Sequence, residues 1–239
     1  NMYRVAKNYP HISTALTANE YLRRAYGTAV ALYTIPLAIA GWSAYETGLM
    51  NERVVVELIA ELEANGWTAE ASTLRNHWEQ KVDHFVNQNP DLYGSEYAFD
   101  STGFETTHEI AKYATQYARI NAGISMSNAL LFLEQQMAAN LVVRGWLEPA
   151  YYYLGSDYRA TAGDEYVLTY MSQMGGWSVL DYAMNYAADT SPYLRLGYAS
   201  CLSAWALMNT GTPDSNYGYW YPGAGNDGGC GGGFEPAPY

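Results

Sequence analysis

Apolar residues recur three and four positions apart along most of this chain, the spacing that gathers them on one face of an α-helix. The strict alternation that marks a strand is hard to find. Leu22, Tyr26, Ala29, Val30 and Tyr33 form the first stripe, and Thr17 with Glu20 stands ahead of it as a capping box, predicting a helix over about 18–33. Pro36 suits the first turn of a second helix over about 36–47, closed by Gly48. Asn51 is placed to cap a third over 53–64, stopped by Asn65-Gly66, and Thr68 a fourth over 69–87 that ends before Asn89-Pro90. Further helices are predicted near 106–119, 124–144, 164–174, 176–188 and 192–208. Sequential helices joined by short turns pair as antiparallel hairpins, so the predicted fold is all-α, with a helical-hairpin domain over 1–210. No period of about 34 or 40 residues repeats recognisably, which disfavours a regular solenoid.

From Gly211 the pattern stops. Residues 211–239 hold nine of the 22 glycines and four of the nine prolines, together with Tyr217, Tyr219, Trp220, Tyr221 and Phe234. A solvated linker lacks such aromatics, so the expectation is an ordered loop packed across the helical body, in a chain that is a segment of a larger protein. Cys201 and Cys230 are too few for a disulfide scaffold, though their spacing permits one bridge from that loop to the preceding helix.

Charge narrows the function classes. With 12 basic and 24 acidic residues the formal net charge is −12, which excludes a basic nucleic-acid binder. The longest weakly polar run, Ala29 to Trp42, falls short of the roughly 20 apolar residues that span a bilayer, so no membrane span is expected. The 24 tyrosines and seven tryptophans supply flat apolar faces with hydrogen-bonding edges; they suit sugar rings, and they also serve as packing between helices. The scarcity of lysine fits an exported protein, secreted or periplasmic, better than a cytosolic one.

The densest group of reactive side chains is the segment Gly94 to Glu109. Thr102 with Glu105, or Thr106 with Glu109, forms a capping box, and either start places Glu105, His108 and Glu109 in the opening turns of a helix. Positions 105, 108, 109 and 112 then share one face. Glycoside hydrolysis needs one carboxylic acid to protonate the leaving oxygen and a second carboxylate opposite it, and Glu105 with Asp100 or Glu96 offers such a pair. Abstraction of a proton next to a uronate carboxylate would instead draw on Tyr97 or His108 as base and Arg159 as the cation. The structural alternative is that Glu105 and Glu109 cap the helix and His108 is a first-turn polar residue.

Gly155-Ser156-Asp157-Tyr158-Arg159 with Asp164-Glu165, in a connection that follows three consecutive tyrosines, is a second polar cluster and a candidate cleft rim, with local pairing of Asp157 and Arg159 as the alternative, while Trp177, Asp181 and Tyr182 read more readily as core packing. Catalytic roles are therefore assigned to Glu105, Asp100 and His108, and substrate binding to Tyr97, Glu96, Tyr158, Arg159, Trp220 and Tyr221. His77 and His84 share a helix face with Lys81 but no nearby acid completes a metal set, and neither a phosphate-binding glycine motif nor a serine-hydrolase elbow is present, so neither a metal nor a cofactor is expected.

The run Ser95 to Glu105 opening a helix, together with the tail Trp220 to Pro236, resembles a domain family of unassigned function found in large exported bacterial and fungal proteins. That family is similar in turn to the six-hairpin (α/α) toroids of glycoside hydrolases and polysaccharide lyases. The resemblance implies a toroid-like array with a polysaccharide-cleaving cleft, hydrolase favoured over lyase, and further domains of the same polypeptide as neighbours. A non-catalytic glycan-binding or structural module is the alternative.

Overall fold

The computed structural model describes residues 1–49, 51–88, 104–118, 123–140 and 168–198, with the backbone alone at 104 and over 168–176. Every regular element among them is helical: α1 (Met2–Asn8), α2 (Ala18–Ala40), α3 (Val54–Ala64), α4 (Thr68–Asp83) running into a π-helical turn (His84–Gln88), α5 (Phe104–Gln116), α6 (126–140), α7 (Leu168–Asn185) and α8 (191–198). The fold is all-α, as the periodicity predicts. The loop expected over 211–239 and both cysteines lie outside the described residues.

The capping box at the start of α2 forms as expected: the Glu20 backbone N–H donates to Thr17 Oγ1 and the Thr17 N–H donates to Glu20 Oε2 at 2.8 Å. The break predicted at Pro36 does not occur, since α2 runs through the proline to Ala40. Pro36 lacks the N–H that would bond the Leu32 carbonyl, but Ile35, Leu37 and Ile39 around it are exposed, so this turn lies where water reaches the backbone. The helix ends at Gly41 rather than Gly48, because Gly41 adopts the left-handed conformation at φ 66° that lets its N–H close on the Leu37 carbonyl.

Three other boundaries differ from the sequence reading. Asn51 does not cap α3; it sits at φ 62°, and Arg53 takes the N-cap position without a side-chain hydrogen bond to the helix. Thr68 lies inside α4, after Trp67. The two helices predicted over 164–174 and 176–188 are one, α7, which crosses Gly175-Gly176. Two interior glycines cost roughly 1 kcal/mol each relative to alanine, and the buried Val179 and Ala183 in the following turns supply packing to offset it.

Packing follows chain order. The turn at Asn65-Gly66, with Gly66 at φ 79°, folds α3 and α4 into an antiparallel hairpin. α1 packs on α2, and Arg4 ties it to α3 through Glu57 at 2.7 Å and Glu61 at 3.0 Å. α4 touches α2, α3 and α5, and α5 packs on α7. Leu22, Tyr33, Leu62, Leu74, Trp78, Phe85, Ile110 and Phe132 fill the shared core, each fully buried aliphatic or aromatic side chain contributing about 1.5–3 kcal/mol of transfer free energy. α6 joins this core through Ala129, Phe132 and Leu133 and adds polar contacts, Gln136 to Thr107 on α5 at 3.3 Å and Asn140 to Ser178 on α7 at 2.7 Å.

Candidate functional site

The site is built where the starts of α3 and α5 meet the second half of α7. Helical spacing puts Glu105, His108, Glu109 and Lys112 on one face of α5, as the sequence predicts, and Trp177, Asp181 and Asn185 on the facing side of α7. Thr106 is buried inside α5 and its hydroxyl donates to the Leu49 carbonyl, so it does not cap the helix and the capping box of Thr106 with Glu109 does not form.

Two charges deliver Arg53 to this face. Lys81 on α4 is fully buried and its ammonium donates to the Ala44 carbonyl at 2.7 Å, to the Thr47 carbonyl, and to Glu52 at 2.5 Å. Glu52 also accepts from the Tyr33 hydroxyl at 2.7 Å and the Leu49 N–H at 3.1 Å, so every polar group of the pair is satisfied. With Ala44, Thr47, Leu49 and Glu52 held in this way, the next side chain, Arg53, reaches Glu105 on α5 and stacks on Trp177 of α7, its guanidinium carbon 4.6 Å from the ring centre. Glu57, one turn on, lies 3.7 Å from the same guanidinium.

His108 is wholly buried and is hydrogen-bonded through Nε2 to Asp181 at 2.7 Å, with its ring edge-on to Trp177. Lys112 donates to the other Asp181 oxygen at 3.2 Å, lies 3.9 Å from Glu109 and 5.5 Å from the Trp177 ring centre. Asn185 supplies a further donor to Asp181 at 3.1 Å.

Protonation follows from these surroundings. Burial pushes the His108 imidazole below the ordinary histidine value, against the pull of Asp181, which keeps it neutral near pH 7. Burial also raises Glu109 above the usual carboxylate range, with Asp181 and Glu57 acting in the same direction and Lys112 and Arg53 against it. Asp181 goes the other way: burial disfavours its charge, but the hydrogen bond from His108 and the hydrogen bond and charge of Lys112 outweigh burial and hold it below the ordinary aspartate value. Two carboxyl groups linked through one lysine thus have their proton affinities shifted in opposite directions. Their distances to Lys112 Nζ place an oxygen of each within about 7 Å of the other.

Of the residues assigned roles from the sequence, Glu105 and His108 fall in this cluster. Glu105 is 5% exposed and engaged by Arg53, and His108 is turned inward to Asp181. Asp100, Tyr97, Glu96, Tyr158, Arg159, Trp220 and Tyr221 lie outside the described residues. The structure adds Arg53, Lys112, Trp177 and Asp181. The shared face of α5 signals Lys112 in the sequence, whereas Arg53 and Asp181 carry no local signal because they arrive from elements 52 and 73 residues away from their partners.

Residues 1–138, more than half of the chain, match a family of unknown function, DUF5695. No curated protein and no solved structure matches.

Proposed function

The chain belongs to this family of unknown function, and from that premise we propose that it is an exported carbohydrate-active module that hydrolyses glycosidic bonds of an uncharged polysaccharide. The observation that carries the reading is the pairing of Glu109 on α5 with Asp181 on α7 about one lysine, Lys112, at 3.9 Å and 3.2 Å, with burial raising the proton affinity of Glu109 while hydrogen bonds lower that of Asp181. Neighbouring carboxyl groups whose surroundings drive their proton affinities apart are what acid-assisted glycoside cleavage requires.

Charge favours hydrolysis over uronate elimination. A lyase must neutralise its substrate's carboxylate, but both cations of the cluster are already committed: Arg53 to Glu105 and Glu57, Lys112 to Asp181 and Glu109. Four carboxyl groups around two cations repel a uronate and tolerate a neutral sugar. Membership of a toroid-like helical array, as in the six-hairpin glycoside hydrolases the sequence resembles, belongs to the same proposal.

The test is incubation of the purified protein with neutral and uronic-acid polysaccharides, following new reducing ends and the ultraviolet absorbance of unsaturated uronates in parallel. Reducing ends from a neutral polysaccharide without the absorbance are expected. Binding without any cleavage would make this a glycan-binding module, and absorbance growing on a uronate substrate would make it a lyase.

A further inference from the structure

Resting on the hydrolase reading, we propose that Glu109 is the proton donor of this site and Asp181 the fixed negative charge that stabilises the sugar cation, with Glu105 serving to hold Arg53. The three acids are sorted by what touches them. Glu105 is nearly inaccessible, and the Arg53 guanidinium occupies its carboxylate. Asp181 accepts from His108 at one oxygen and from Lys112 and Asn185 at the other, a set of donors that fixes both its orientation and its charge. Glu109 has, among the described residues, a single polar contact, Lys112 at 3.9 Å, beyond hydrogen-bonding distance. Its side chain is 15% exposed, as is that of Asp181, so both reach the surface that Glu105 and His108 do not.

The charged groups facing Glu109 are Lys112 on its own helix, Asp181 on α7, and Arg53 and Glu57 at the start of α3. Burial raises the proton affinity of Glu109 whereas that of Asp181 is lowered, which supports the geometric assignment. The Trp177 ring faces Arg53 and Lys112 and serves to hold both cations beside the carboxylates.

In the step so assigned, the Glu109 proton passes to the glycosidic oxygen while the bond from that oxygen to the anomeric carbon breaks, the bonding pair leaving with the oxygen. The positive charge on the sugar ring is met by ionised Asp181. A water oxygen then bonds to the anomeric carbon, and the proton that water sheds returns to the Glu109 carboxylate. One water is consumed and both carboxyl groups end as they began.

The experiment compares the full chain with Glu109→Gln, Asp181→Asn and Glu105→Gln, after far-UV spectra and thermal melts show which variants fold. Each is assayed on the neutral polysaccharide that the wild type cleaves and on an aryl glycoside of the same sugar with an acidic phenol as leaving group. Glu109→Gln should lose about 10²–10⁴ in turnover on the polysaccharide, keep most turnover on the aryl glycoside, and lose the fall in rate at high pH on that substrate. Asp181→Asn should fail on both substrates, and Glu105→Gln should lose less than Glu109→Gln on the polysaccharide. A readout free of turnover is the infrared carboxylic-acid band: a band present in the wild type above the ordinary glutamate titration range should vanish in Glu109→Gln. Full polysaccharide turnover in Glu109→Gln, or an infrared band unchanged by it, overturns the assignment while leaving the hydrolase reading standing. A wild type that cleaves no neutral polysaccharide overturns the hydrolase reading and the assignment with it.

Discussion

Lys81 and Glu52 are buried charges whose every donor and acceptor is matched, and a pair of this kind is far more costly to halve than to remove. Lys81→Met would leave the Glu52 carboxylate buried without its cation and should cost about 3–5 kcal/mol in urea unfolding, whereas Lys81→Met with Glu52→Gln should recover most of that loss. A single variant as stable as the wild type would show that the backbone at Ala44, Thr47 and Leu49 does not depend on the pair. At His108 the prediction concerns pH. Its folded value lies below the ordinary histidine 6.5, so below about pH 6.5 the unfolded chain binds the proton that the folded protein refuses. Stability is therefore present above that pH and is lost as pH falls toward the folded value. His77, also depressed by burial, acts in the same direction, and Glu109, whose value is raised, acts in the opposite one. Midpoints of denaturant unfolding should decline from pH 7 to pH 5, and His108→Gln should flatten part of that decline. A slope identical in both proteins would mean that His108 does not couple to folding.

At the level of elements, α8 shows how closely two helices approach when a glycine lies between them. A Cβ built on Gly197 would come within 2.6 Å of Leu180 Cγ and 3.1 Å of the Leu180 backbone nitrogen on α7. Gly197→Ala should therefore destabilise by about 1–3 kcal/mol, with Leu180→Ala in the same chain relieving the side-chain part of the clash but not the backbone part. Thermal melts of the single and double variants measure this, and an unchanged midpoint in Gly197→Ala would place α8 elsewhere. The sequence carried much of this architecture where local rules decide, as in the Thr17–Glu20 capping box, the Asn65-Gly66 turn and the shared face of Glu105, His108, Glu109 and Lys112. It misled where tertiary context overrode a local rule: Pro36 lies within a helix at the surface, and Gly175-Gly176 lies within α7, not between two helices. Half of the site was illegible for another reason. Asp181 looks like a packing residue until α7 lies against α5, and Arg53 looks like one more helix-start charge until Lys81 fixes the chain that precedes it.

For the whole molecule, the proposed preference for uncharged sugars over acidic ones rests on the net charge of −12 and on the commitment of both site cations to carboxylates. No helix among the described residues is long and apolar enough to cross a membrane. The central claim is hydrolysis at the face shared by α5 and α7, and the source of the oxygen at the cleaved bond tests it most directly. Cleavage of a neutral polysaccharide in water enriched in heavy oxygen, followed by mass spectrometry of the products, should show one solvent oxygen in each new reducing end. Products that carry an unsaturated sugar and no solvent oxygen would contradict it, as would a polysaccharide left intact.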